Sequence, residues 1–214
     1  MNMIKGLIFD LDGTLIDSLK DLASSTNRVL QHNNLPTHEL SEYNYFIGNG
    51  MKKLIERAIF PHTELLDICL KQFYEDYTIH CLDETYIYEG VKELIDYLYN
   101  EGYQLAVVTN KPHNIAVKIV NELFKDKFKI VYGQHNPYPT KPDPALVHKA
   151  LDIMDIHNDE CLYIGDSDVD VLTAKNANMK CIGVNWGFRG ADELKNAGAD
   201  YVAYSANDIK EIIK

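Results

Sequence analysis

Basic residues are in short supply. The chain of 214 residues carries 21 Lys and Arg against 32 Asp and Glu, a formal net charge of −11. Sequence-independent nucleic-acid binding needs basic stripes, which this balance does not provide. Mild acidity favours solubility and names no partner. Long hydrophobic runs are missing too: none approaches the roughly 18 apolar residues of a membrane span. The opening "MNMIKG" is too short for the apolar core of a signal peptide. The four cysteines, at 69, 81, 161 and 181, show no CxxC spacing and no His at zinc-finger intervals. Cys161 and Cys181 sit in apolar runs, where Cys behaves as a small buried hydrophobe. The eight histidines are scattered without metal-ligand spacing. There is no internal repeat, low-complexity tract or linker rich in Pro, Gly or Ser. These absences lead us to expect a cytoplasmic, reduced protein, with no membrane or nucleic-acid partner, and a monomer.

An apolar content of 46% suffices for a proper core, and the length fits one large domain or a core with an insert. Short continuous apolar runs predict buried parallel strands at 5–9, 103–109, 129–133, 160–165 and 180–184, with a weaker one at 201–203. Helical patterns cover 90–100, 112–123, 144–155 and 168–178. Strand and helix therefore alternate from residue 84 onward, which predicts a doubly wound, Rossmann-like α/β sheet. The rhythm breaks at roughly 15–83, where amphipathic patterns run without a convincing strand. The expected organisation is a core of residues 1–14 and 84–214 with an all-helical insert of residues 15–83 facing the end of the first strand.

The chemically suggestive residues fall where strands end, which is where ligands bind such sheets. Asp10 and Asp12 follow the first strand in "DLDGTLIDS". Thr109 and Asn110 close the second, Lys141 lies in "TKPDP", and Asp166, Ser167, Asp168 and Asp170 follow "LYIG". Parallel strands would bring these groups to one edge. Four acids, Asp10, Asp12, Asp166 and Asp170, would then face one lysine, a crowding that raises carboxylate pKa values and strains the fold. A bound Mg²⁺ resolves it, since it takes carboxylate and carbonyl oxygens and keeps places for water and phosphate. Thr109, Asn110 and Lys141 supply hydroxyl, amide and ammonium donors for phosphoryl oxygens.

Taken singly, each element also has a plain structural reading. DxDGT reads as an acidic turn with Gly13 at positive φ. "TKPDP" reads as a helix start, with Asp143 as N-cap and Pro144 in the first turn. Asp166, Asp168 and Asp170 suit a helix N-terminus, and the spacing of Asp166 and Asp170 predicts one shared helix face. Tyr43, Tyr45, Tyr74, Tyr77, Tyr86 and Tyr88 read as packing residues.

"DLDGTLIDS", "VVTN", "TKPDP" and "GDSDVD" resemble, in order, the four motifs of the haloacid dehalogenase (HAD) superfamily, and the helical insert stands where that family carries its type-1 cap. The resemblance implies that Asp10 is a nucleophile forming an aspartyl-phosphate and that Asp12 is the general acid and then the base. It implies a Mg²⁺ site made by Asp10, Asp166 and the backbone carbonyl of Asp12. Thr109 and Lys141 would bind phosphate, and Asp170 would support Lys141 or stand behind the metal. Asp168 matches no role and reads as helix N-terminal charge. An acid at position 12 is absent from the dehalogenase and phosphonate-cleaving branches, so its presence implies a phosphatase or a phosphomutase.

The stretch "FIGNGMKKLIERAI" (46–59) resembles the cap segment of phosphoglycolate phosphatases, and "NWGFRG" at 185–190 points the same way. Gly48-Asn49-Gly50 and "DGTLIDS" both depart from the β-phosphoglucomutase pattern. Asn178 stands where the family often has Gly, and it tolerates the same left-handed cap. Two readings stay open for the Gly48-Asn49-Gly50 loop, a helix-entry turn or a set of backbone contacts to substrate. Lys52, Lys53 and Arg57 are either a solvated face or an attractor for a substrate carboxylate. The expectation is a Mg²⁺-dependent phosphatase acting on a small phosphorylated metabolite. The alternatives are a hexose-phosphate mutase, a pyrophosphatase or nucleotidase of the same superfamily, and a silent metabolite-binding module.

Overall fold

The computed structural model describes residues 3–214. In chain order its strands are β1 (Gly6–Phe9), β2 (Ile16–Asp17), β3 (Tyr86–Ile87), β4 (Gln104–Pro112), β5 (Ile130–Gln134), β6 (Cys161–Gly165), β7 (Lys180–Val184) and β8 (Tyr201–Ala203). The α-helices are α1 (Leu19–His32), α2 (Tyr43–Phe46), α3 (Met51–Ala58), α4 (Leu66–His80), α5 (Val91–Asn100), α6 (His113–Phe124), α7 (Ala145–Met154), α8 (Asp168–Asn176), α9 (Ala191–Ala197) and α10 (Ala206–Ile212).

Six strands form one sheet in the order β5-β4-β1-β6-β7-β8, and every pairing in it is parallel. A parallel sheet is covered on both faces, which explains the continuous apolar runs. Side chains alternate along a strand: Leu7 and Phe9 of β1 enter one cluster with Ile115 and Ile119 of α6, while Ile8 enters the other with Val147 of α7 and Ala174 of α8. The central position of β1, between β4 and β6, puts residue 10 in the middle of the carboxyl edge.

Three departures from the sequence expectation have local causes. The stretch 15–83 does contain a strand: Ile16–Asp17 pairs antiparallel with Tyr86–Ile87, a two-residue ribbon where the chain leaves and re-enters the sheet domain. Two residues cannot show a period in the sequence. The buried carboxylate of Asp21 secures the same crossing by accepting the N–H groups of Glu84 and Thr85 and the Thr85 hydroxyl. Second, β4 runs three residues beyond the predicted 109, with a register shift between Val108 and Pro112. Third, α7 begins at Ala145 with Pro144 at the cap position, and the Asp143 carboxylate accepts the Ala145 N–H. Asn178 takes φ 54°, the left-handed conformation expected of it. Among the described residues no helix is long and apolar enough to cross a membrane.

Candidate active site

The carboxyl edge of the sheet gathers the strand-end residues. Asp10 leaves β1 with its N–H on Ile164 O of β6 at 2.8 Å, so the neighbouring strand fixes its direction. Asp166 follows β6 directly. Its Oδ2 accepts the Phe188 N–H at 2.8 Å and its Oδ1 the Thr14 hydroxyl at 3.4 Å. The approach needs glycine on two sides. A Cβ on Gly13, which has φ +84°, or on Gly187 would stand 2.3 Å from an atom of the Asp166 side chain. Only a missing side chain lets two backbone segments come that close.

Lys141 is the cation of this cluster. Its Nζ lies 2.7 Å from Asp170 Oδ1, 2.9 Å from Asp10 Oδ1 and 3.1 Å from the Tyr163 hydroxyl. Burial alone would depress its charge, but Asp10 and Asp170 more than offset this and hold the ammonium protonated. Asp170 is wholly buried and fully engaged: Oδ1 takes Lys141, while Oδ2 takes the N–H and hydroxyl of Ser167. It caps α8 and anchors the lysine at once. Asp166 precedes the Ser167 cap and lies outside α8, so the two acids converge through the capping turn; they do not share a helix face. Asp168 keeps its carboxylate on the Val169 N–H in the first turn.

The acids outnumber their partners. Asp10 Oδ1 is buried and accepts no hydrogen bond, although Lys141 stands close enough to pair with it electrostatically. Burial, opposed by Lys141 and reinforced by Asp170, pushes the Asp10 carboxyl from 3.8 up to about 6. Burial and the charges of Asp170 and Asp10 push Asp166 well above the ordinary carboxylate range. Oxygens from Asp10, Asp166 and Asp170 lie within 4.8 Å of one another. An unsatisfied oxygen and two carboxyls driven toward protonation fit a hard divalent cation, whose charge would reverse both effects.

Asp12 belongs to a second network. Its Oδ1 receives Lys111 Nζ at 2.7 Å and the Ser18 hydroxyl at 2.5 Å. Lys111 also donates to the Tyr77 hydroxyl of α4 at 2.6 Å. The sequence reading of the strand ends at 109, whereas β4 runs on to Pro112 and carries Lys111 into the site beside Thr109. Tyr77, expected only to pack, does so by stacking on Phe73, and it presents its hydroxyl to the site as well. Tyr45 and Tyr86 are largely exposed, and Tyr74 is partly so.

Thr109 and Lys111 line the cavity beside Asp10, Asp12 and Asp166, with Ile47, Gly48, Gly50, Met51 and Leu54 closing it from the helical side. Asn110 reaches it too, but its side-chain amide is committed: Oδ1 accepts the Lys141 N–H at 2.8 Å, and Nδ2 donates to Lys141 O and Gly48 O. It braces the lysine loop and still lines the cavity. Asn49, Lys52, Lys53 and Arg57 do not line the cavity. Lys53 pairs with Glu56 on an exposed face, and Arg57 is spent on Tyr45 O, Phe46 O and Asn49 Oδ1, where it braces the loop.

Residues 7–184 match the model of the haloacid dehalogenase-like hydrolase family. The chain belongs to that family. It is 34% identical over 212 residues to a phosphoglycolate phosphatase of Colwellia psychrerythraea, covering 95% of this chain and 94% of the relative. A phosphoglycolate phosphatase of Chromobacterium violaceum is 31% identical over 218 residues, covering 99% and 97%. Among solved structures, one from Haemophilus somnus, titled a predicted phosphoglycolate phosphatase, superposes with a TM-score of 0.90 at 29% identity, covering 100% of both chains. Another, from Lactobacillus delbrueckii subsp. bulgaricus, has a TM-score of 0.91 at 30% identity, covering 99% and 98%. Family and relatives together support an enzyme of phosphatase type. Neither the mutase nor the silent module is favoured.

Proposed function

We propose that this HAD-like phosphatase hydrolyses a small phosphomonoester, 2-phosphoglycolate or a near relative of it, in the cytoplasm and with Mg²⁺. The observation that carries the reading is Asp10 Oδ1: a buried carboxylate oxygen without a hydrogen bond, at the centre of the sheet edge, beside a cation and two further acids. Mg²⁺ would be held by Asp10, Asp166 and the backbone carbonyl of Asp12, and when bound it would screen the carboxylates from an anionic phosphate.

The remaining chemistry falls to the chain's own residues. An Asp10 carboxylate oxygen attacks phosphorus, and the bond from phosphorus to the ester oxygen breaks. Asp12 donates its proton to the departing oxygen. In the second step the Asp12 carboxylate takes a proton from water as that water attacks phosphorus, which releases phosphate and restores Asp10. Ser18 and Lys111 both hold Asp12 by Oδ1, leaving Oδ2 to carry the proton. Lys141 and Thr109 contribute positive charge and a hydroxyl donor to the phosphoryl oxygens. The helices of residues 15–83 act as a cap that opens to admit substrate and closes to exclude water. The four cysteines, all buried and unpaired, suit a reducing compartment.

The test is phosphate release from 2-phosphoglycolate, pyrophosphate, nucleoside monophosphates and sugar phosphates, with Mg²⁺ and then with EDTA. Release that requires Mg²⁺ and is led by 2-phosphoglycolate is the expected result. Activity led by another compound would keep the mechanism and remove the substrate. No release from any of them would remove both.

A further inference from the structure

Arg189 is the one cavity-lining cation, among the described residues, that the catalytic networks do not use. Lys111, the other cation in the lining, is tied to Asp12 and Tyr77. Around Arg189 the wall is apolar, made by Leu22, Ile47, Met51, Leu54 and Phe188. Its guanidinium donates a single hydrogen bond, from Nη2 to Ile47 O at 3.3 Å. The nearest acid, Glu193, stands 3.7 Å away with 40% of its side chain in solvent, a weak pairing. The Tyr45 ring lies over the guanidinium, 5.8 Å from Cζ. Arg57 is near enough that burial and then the charge of Arg189 depress its own guanidinium.

Position ties this cation to the reacting end. Arg189 directly follows Phe188, whose N–H holds Asp166 at 2.8 Å, and consecutive Cα atoms are only ~3.8 Å apart. Arg189 and Asp10 line one cavity, so a ligand with its phosphate at Asp10 shares that space with the guanidinium. The cavity has a volume of about 50 Å³.

We infer that Arg189 is a specificity-determining residue that receives a carboxylate on the substrate's non-reacting end, so that the substrates are short phosphorylated carboxylic acids. The planar fork of a guanidinium matches a carboxylate. The same contact would draw the carboxylate toward the Ile47–Gly50 loop, to which Arg189 is already bonded, so the right substrate helps hold that loop. This rests on the phosphatase reading for the placement of the phosphate.

The test compares 2-phosphoglycolate with 2-hydroxyethyl phosphate, which has a neutral hydroxymethyl group in place of the carboxylate. Wild-type enzyme should favour the acid in kcat/KM, and Arg189→Gln should lower that ratio by about 10- to 100-fold; Arg189→Lys should retain part of it. A second arm measures binding of the same two compounds to Asp10→Asn protein by calorimetry, with and without Arg189→Gln, and the affinity ratio should fall likewise. Equal losses for both compounds, or no change in either ratio, would overturn the assignment. If wild-type protein hydrolyses neither compound yet the binding ratio depends on Arg189, the catalytic reading fails and the Arg189 assignment stands. If it hydrolyses both alike and binds both alike, the reverse holds.

Discussion

Lys111 and Asp12 form a buried ion pair, Nζ to Oδ1 at 2.7 Å, with the lysine side chain 2% exposed. The same ammonium donates to Tyr77 of α4, so one cation ties the proposed acid-base residue to a helix of the 15–83 segment. Burial would depress the lysine's charge, but Asp12 and Tyr77 reverse that and hold it protonated. Asp12 is thus positioned in part from the 15–83 segment.

Lys111→Met keeps the volume and removes the charge. Turnover should fall by about 10²-fold, within the range a positioned acid-base group contributes. Tyr77→Phe keeps the ion pair and should cost less, under about tenfold, because only a neutral hydrogen bond is lost. Steady-state kinetics on both variants checks the order, and a Lys111→Met enzyme with wild-type kcat contradicts it.

Asp10→Asn is nearly isosteric and removes the proposed nucleophile. Turnover should drop by at least about 10³-fold while circular dichroism is unchanged. Asp12→Ala should stop or greatly slow turnover. A fully active Asp12→Ala enzyme would dismiss Asp12 as the acid and base.

Stability of the metal-free protein should depend on pH in a definite direction. Asp10 is raised from 3.8 to about 6, and Asp166 is raised as well, so the folded state binds protons that the unfolded chain has released. The contribution of Asp10 is fully present below pH 4 and is lost as pH climbs through about 6. Mg²⁺ competes with those protons. Its gain in melting temperature over EDTA should therefore be larger at about pH 7.5 than at about pH 5. Equal gains at the two pH values would contradict the placement of the metal among these acids.

Asp170 should matter to the fold as much as to chemistry. Asp170→Ala leaves the buried Lys141 with Asp10 as its remaining carboxylate partner and uncaps α8 together. The expected loss is about 3–5 kcal/mol, as for other broken buried pairs. A shift in the urea midpoint measures it, and a shift near zero would mean that Lys141 finds its counter-charge elsewhere.

Much of the fold was legible because parallel strands leave unbroken apolar runs, and β1, β6 and β7 fall where those runs lie. The strand-end acids could be placed from the same logic. What escaped depended on geometry with no period. The two-residue ribbon of Ile16–Asp17 with Tyr86–Ile87 is too short to show alternation. Helices α9 and α10 are seven residues each and passed unnoticed. Lys111 lies in β4 two residues beyond Thr109, where the sequence reading of the strand had already ended. At the cap, the visible cluster of Lys52, Lys53 and Arg57 drew the eye. The cavity-lining cation besides Lys111 is Arg189, brought in from far along the chain by a glycine-flanked turn after β7. Charge can be counted in a sequence, but its partners cannot, and the partners decide that Arg57 braces a loop.

The most direct measurement is acid quenching of the enzyme during turnover of a substrate carrying a labelled phosphoryl group, followed by peptide mapping. The expected result is a base-labile label on the peptide that contains Asp10, present in wild-type enzyme and absent from Asp10→Asn. Turnover without any protein-bound label, or label retained by Asp10→Asn, would contradict a phosphoryl group held by Asp10.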